Sequence, residues 1–360
     1  MNILIGNSSK YFFPFFTLNS AYYSEYLALL FVFIHIMLTI LCILLTIQTC
    51  VIVKTVHVFH PNMSNIITAI IVQWFETLIA KLIIFPYQLG FLTVGEDRVF
   101  QSWVTNTVSE MPQIEKPGDI VPLFVSGILY LHYAFTVAFS VFILTCERAF
   151  ATFFITDYEK KPRAYICVIL LLMAHLLTFL LSCLATCELI TFTTGIAISG
   201  VIIVGAVLIY FIILHINIGI QKRLDKNDHK QDYYSLAIRF QAKENARSLE
   251  LAKKVVVVAA AAVLLGMALL VMAAFHWIDN YISTIVTFAE AVFNLNPLVV
   301  VPVGLYSVPI WRDRFFRKLP FLEKIRTVST MRIVKVSAAK ENEEVKQTEV
   351  YFNQLSEAWK

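Results

Sequence analysis

Seven apolar runs constrain this chain before anything else does: residues 27–53, 65–89, 120–146, 164–186, 195–219, 255–275 and 282–306. A hydrocarbon core of about 30 Å is crossed by a helix of roughly 20 apolar residues. A backbone in lipid must also satisfy its own hydrogen bonds, which a helix does within one segment. Only 15% of the 360 residues are charged, against about a quarter in a water-solvated domain. The expected fold is therefore an all-α membrane protein, a seven-transmembrane helix bundle.

Basic residues orient such a bundle, because they accumulate in the cytoplasm. With the N-terminus outside, 25 of the 29 Lys and Arg fall on the cytoplasmic side. The chain then divides into an extracellular segment 1–26, a bundle 27–309, an amphipathic interfacial helix 310–322 and a cytoplasmic, disordered tail 323–360. The interfacial helix is read from WRDRFFRKLPF, where Trp311, Phe315 and Leu319 share a face opposite Arg312, Arg314, Arg317 and Lys318. Asn7-Ser8-Ser9 is then an exposed glycosylation acceptor, while Asn62-Met63-Ser64 has the same pattern on the cytoplasmic side. Pro86 and Pro302 lie within spans and are expected to kink them.

The third run ends at Glu147-Arg148, an acid and a base side by side at its cytoplasmic edge. A lone Arg there would snorkel into water. An adjacent carboxylate allows the pair to satisfy itself in one state and release Arg148 in another, as a switch requires. From Ser235 to Lys254 the chain has neither Pro nor Gly, so a helix is expected to carry the sixth span into the cytoplasm. Arg239, Lys243 and Arg247 recur there every four residues as a basic stripe. Such a stripe is either a solvated face or a docking surface.

Charges inside the spans form a second constellation. Lys81 and Glu290 lie about 12 and 13 Å below the outer ends of their runs, and Glu76 and Asn294 about 20 Å below them. Buried charges in lipid pair or line a cavity. A Lys81–Glu290 ion pair is expected, with Glu76 bonded to the region of Asn294, Asn296 and Pro297. The pair is either a clamp between helices or the floor of a ligand cavity walled by Tyr130, His132, His276 and Trp277. Single histidines such as His175 are expected to pack between helices. The six cysteines have no metal-site spacing, and no metal, cofactor or nucleic-acid partner is expected. The spans hold no His-Glu-x-x-His or paired Asp arrangement, so an enzyme is not expected.

The seven spans and the Glu-Arg terminus of the third resemble a G-protein-coupled receptor. The segments FHPNMSNIITAIIVQWFE, CERAFATFFITDYEKKPRAYI, RFQAKENARSLELAKK and NLNPLVVVPVGLYSVPIWRDRF resemble the nematode serpentine receptor class epsilon, or Sre, chemoreceptors. The resemblance implies a multi-pass receptor in the plasma or ciliary membrane of chemosensory neurons. It further implies an extracellular small-molecule ligand and a cytoplasmic heterotrimeric G protein contacted near Glu147 and Arg148. Ala149 stands where rhodopsin-like receptors carry Tyr, and Tyr130 where amine receptors carry Asp. The rival reading is a transporter or channel that uses Glu76, Lys81 and Glu290 as a translocation site.

Overall fold

A computed structural model describes residues 1–5, 9–14, 20–93, 104–105, 107–114, 117–154, 163–226 and 236–317. Strands β1 (Asn2–Ile5) and β2 (Ser9–Phe12) and the short helix α1 (Ser20–Ser24) precede the bundle. The first span is α2 (Tyr26–Thr55). The second is broken into α3 (Pro61–Gln73) and α4 (Phe75–Gln88). Strand β3 (Gln113–Ile114) leads into α5 (Pro117–Phe153), the third span, followed by α6 (Ala164–Thr186) and α7 (Phe192–Lys226). Helix α8 (Leu236–Ala274) forms the sixth span, α9 (Ile282–Asn294) and α10 (Pro297–Ser307) the seventh, and α11 (Pro309–Arg317) follows. Seven helical segments are long and apolar enough to cross a membrane.

Burial is unequal among them. In the most apolar stretch of the third and seventh spans 61% of residues are buried, against 17% in the first and sixth. Lipid tails are as apolar as leucine, so nothing drives a leucine-rich face inward. Phe33, Leu44, Leu172 and Leu264 accordingly face outward. Glu290, Asn294 and Asn296 of the seventh span instead point into the protein.

The two broken spans are joined at their breaks. Pro297 has no N–H, and Leu298 N–H turns to the Leu295 carbonyl, so the Asn294 carbonyl loses its helical partner. The indole Nε1–H of Trp74, the residue at the break of the second span, donates to it at 2.8 Å. Pro86 and Pro302 lie inside α4 and α10, and the interruptions of the two spans fall at Trp74 and at Leu295–Asn296, where the Trp74 indole supplies a missing bond.

Strands β1 and β2 pair antiparallel, with Asn2 opposite Phe12, and β3 adds in parallel on the other edge of β1. Met1, Ile3, Phe12 and Phe13 enter one apolar cluster with Ile84, Leu123, Tyr130, Leu270 and Phe293. The hairpin therefore sits on one end of the bundle, called here the hairpin end. Helix α8 is continuous from Leu236, as expected for an extended sixth span. Helix α11 lies in a separate unit, 309–360, and the expected helix up to residue 322 leaves the described residues after Arg317. The tail 323–360 and Asn7 also lie outside them. Asn62 is buried, and its side-chain amide donates to the Arg163 carbonyl at 3.1 Å, linking the starts of the second and fourth spans.

Candidate functional site

At the end opposite the hairpin, Glu147 and Arg148 are 0% and 1% exposed. Arg148 Nε and Nη2 donate to the two carboxylate oxygens of Glu147 at 2.5 and 2.6 Å. Nη1 crosses to α8, donating to Asn245 Oδ1 at 3.1 Å and to Ser248 Oγ at 3.2 Å. Asn245 Nδ2 donates to Asn217 Oδ1 at 3.3 Å, and Asn217 Nδ2 to Thr152 Oγ1 at 2.8 Å. The Thr152 hydroxyl donates in turn to the Arg148 carbonyl at 2.8 Å. A polar ring thus runs through the third, fifth and sixth spans. Arg148 does not snorkel into water; its charge is met inside the protein.

Sequence reasoning reached Glu147 and Arg148 but missed Thr152, Asn217, Asn245 and Ser248. A signal was present for two of them: Asn217 is an amide within an apolar run, and Asn245 lies in RFQAKENARSLE beside the basic stripe. Helix α8 carries Arg239, Lys243 and Arg247, but their side chains lie outside the described residues. His60 precedes α3, and its Nδ1 accepts the Asn62 N–H at 3.3 Å. Burial lowers its pKa to about 4, with Glu147 raising it and Arg148 lowering it. Its ring is therefore neutral near pH 7 and stands in the field of the Glu147–Arg148 pair.

Nearer the hairpin end, Lys81 Nζ and Glu290 Oε1 meet at 2.6 Å, the expected pair. Lys81 also donates to Gln88 Oε1 at 2.6 Å, and Tyr130 Oη–H to Glu290 Oε1 at 3.0 Å. Asn294 Nδ2 lies 3.3 Å from the Tyr130 oxygen and 3.4 Å from Glu290 Oε1. With Gln88 Nε2 3.5 Å from Glu290 Oε2, four side chains share one carboxylate that is 1% exposed.

Glu76 does not join this network. Its Oε2 lies 2.7 Å from His132 Nδ1, while His132 Nε2 faces His175 Nδ1 at 3.4 Å. The expected link from Glu76 to the Asn294–Asn296 region is replaced by a second-to-third-to-fourth-span contact. Asn294 binds Trp74 instead, and Asn296 Nδ2 donates to Tyr133 Oη at 3.3 Å. Matching depth along two helices does not specify matching faces, and the break at Trp74 resets the face from which Glu76 emerges.

An apolar cleft lies elsewhere. It has a volume of about 60 Å³ and is lined by Phe12, Leu131, Phe135, Phe192, Met267 and Phe293 among others. Of its lining residues only Ser199 bears a polar side chain, apart from the Met267 thioether, and its hydroxyl donates to the Gly195 carbonyl at 3.0 Å. None of Lys81, Glu290, Tyr130, His132, His276 and Trp277 lines it. The charges are consumed by one another, as a low dielectric demands. Leu131 and Phe293, one residue from Tyr130 and Asn294, face the cleft in their place. Phe293 approaches because residue 266 is Gly, where a Cβ would stand 2.5 Å from the ring. Trp277 is 67% exposed, and His276, at φ 52°, is exposed with Nε2 3.2 Å from the Val104 carbonyl. Neither lines this cleft.

This constellation can be set beside known proteins. The family described as Sre G protein-coupled chemoreceptor matches residues 1–360. Serpentine receptor class epsilon-38 of Caenorhabditis elegans is 32% identical over 312 residues, covering 85% of each chain. Serpentine receptor class epsilon-37 of the same organism is 29% identical over 374 residues, covering 99% of this chain and 98% of its own. Epsilon-45, also from Caenorhabditis elegans, is 28% identical over the whole of both chains. With seven membrane-spanning helices and a family match from end to end, this chain belongs to the Sre G protein-coupled chemoreceptors.

Proposed function

We propose that the chain is a chemosensory receptor that takes a compact, neutral, apolar molecule into the Phe12–Phe135–Phe293 cleft on its extracellular side. It signals to a heterotrimeric G protein through Arg148 on its cytoplasmic side. The N-terminus is extracellular and the C-terminus cytoplasmic, in the plasma or ciliary membrane of a sensory neuron. The observation that carries the reading is the Arg148 guanidinium, which is held to the third span by Glu147 and to the sixth by Asn245 and Ser248. Movement of α8 away from α5 removes both Nη1 partners while the charge stays neutralised by Glu147. Arg148 then presents free donors to a partner peptide, a two-state element that a ligand can bias.

The cleft supports the ligand class. With no charged group on its wall, an ion entering it would lose hydration without compensation, whereas an apolar molecule gains about 25 cal/mol for each Å² removed from water. The transport reading loses its three-charge site, since Glu76 faces His132 rather than Lys81 and Glu290.

The test is calcium imaging of cells that express the chain at matched surface density, against a panel of small neutral odorants and charged analogues. Responses are expected to the neutral members. Glu147→Gln should raise basal activity, and Arg148→Ala should abolish basal and evoked activity alike. Evoked responses that survive Arg148→Ala would overturn the proposal.

A further inference from the structure

We infer that the N-terminal hairpin is a removable wall of this cleft: Phe12 and Pro14 set the size of molecule admitted, and Glu188 latches the wall shut through Lys10 and Asn2. The inference rests on the reading that the cleft takes a small apolar ligand.

Phe12 and Pro14 line the cleft directly, beside Phe192 and Phe135. The Phe12 and Phe192 rings lie 5.3 Å apart, and Tyr11 meets Phe124 edge-on at 6.0 Å. Phe13 packs against the third span where residue 127 is Gly; a Cβ there would fall 2.7 Å from the Phe13 ring. The hairpin is therefore seated in a place shaped for it, and the ligand site is incomplete without it.

Among the described residues, Glu188 gives the hairpin a polar attachment to the bundle. Glu188, between the fourth and fifth spans, accepts Lys10 Nζ from β2 at 2.8 Å and Asn2 Nδ2 from β1 at 3.1 Å, both on Oε1. Glu188 has φ 53°, the left-handed region that a non-glycine residue adopts only when its surroundings hold it. The Lys10 and Glu188 side chains are 25% and 22% exposed, so water and salt reach both partners, whereas Glu290 is sealed off at 2%. Exposed pairs are weak and screened by salt. The hairpin is thus held shut by apolar docking and biased by a bond that can open.

Access is read without knowing the natural cue. A thiol is placed in the cleft by Ser199→Cys, and its reaction with benzyl methanethiosulfonate is timed in membranes, using the chain without that thiol as background. Lys10→Glu, which sets two carboxylates against each other, should speed labelling about fivefold. The double variant Lys10→Glu with Glu188→Lys should return the rate to that of the parent. Raising salt should speed labelling in the parent and not in Glu188→Gln. Phe12→Ala should speed a bulkier naphthyl reagent more than the benzyl one. An unchanged rate in Lys10→Glu would overturn the latch and send the molecule in sideways through the bilayer. A double variant that stays fast would ascribe the change to misfolding and overturn it too. Equal effects of Phe12→Ala on both reagents would overturn the selecting role of the wall. Altered labelling with no response to any odorant would leave the wall standing and defeat the receptor proposal alone.

Discussion

Glu147 and Arg148 are neighbours on one helix, whereas Lys81 and Glu290 are brought together from the second and seventh spans. The first pair stays neutral however the helices move, because both charges travel on α5. Two bonds from Arg148 Nη1 tie it to the sixth span. The second pair cannot part without leaving two bare charges in a low dielectric. In the proposed switch, one end of the bundle moves and the other holds.

The largest expected effect comes from breaking the holding end. Lys81→Met or Glu290→Gln alone leaves an uncompensated buried charge, at a cost of about 3 to 5 kcal/mol, and surface expression should fall sharply. The double neutral variant should recover most of it, because no bare charge remains. Additive losses, read by surface labelling of tagged chains, would show that the two residues do not act as a pair.

A smaller effect reports on the moving end. The pKa of His60 falls from an ordinary 6.5 to about 4 in the folded protein, so the folded state favours the neutral ring. The stability it contributes is fully present above pH 6.5 and is lost as pH falls through 4. The shift is worth about 3 kcal/mol at most. In detergent, the melting temperature of the parent should drop more steeply over that interval than that of His60→Asn, which keeps an N-cap acceptor. Parallel curves would remove His60 from the balance.

The smallest effect sharpens the contrast without disturbing charge. Thr152→Val removes the acceptor of Asn217 Nδ2 while keeping side-chain shape. A neutral hydrogen bond is worth about 1 kcal/mol, so basal signalling should rise about fivefold with surface expression unchanged. Basal signalling equal to that of the parent would mean that the ring does not restrain α8.

The lesson for reading sequence is in which pairs could be seen. Glu147–Arg148 was legible because the partners are adjacent and interrupt an apolar run. Lys81–Glu290 was legible because lipid forces two lone charges at one depth to meet. Glu76 was misplaced because depth counts residues along an axis, and a break at Trp74 changes the direction a side chain takes. The hairpin was not legible, since its sequence has no strong strand alternation and it is held by Phe13 docking on Gly127 and by Glu188, far away in the chain.

By itself the sequence determined the solvent, the seven spans, the family and the neutralisation of charge, since each follows from the price of a polar group in lipid, whatever the packing. Only the tertiary structure decided that the charged network and the cleft are separate, and that Arg148 reaches Asn245 and Ser248. It alone placed the N-terminal residues Phe12 and Pro14 in the wall of the cleft. The physical reason is that in hydrocarbon the cost of exposing a charge constrains composition strongly, while the choice among apolar faces is nearly free. Contacts such as Phe293 over Gly266, or Phe13 over Gly127, are settled by shape, which no single residue carries.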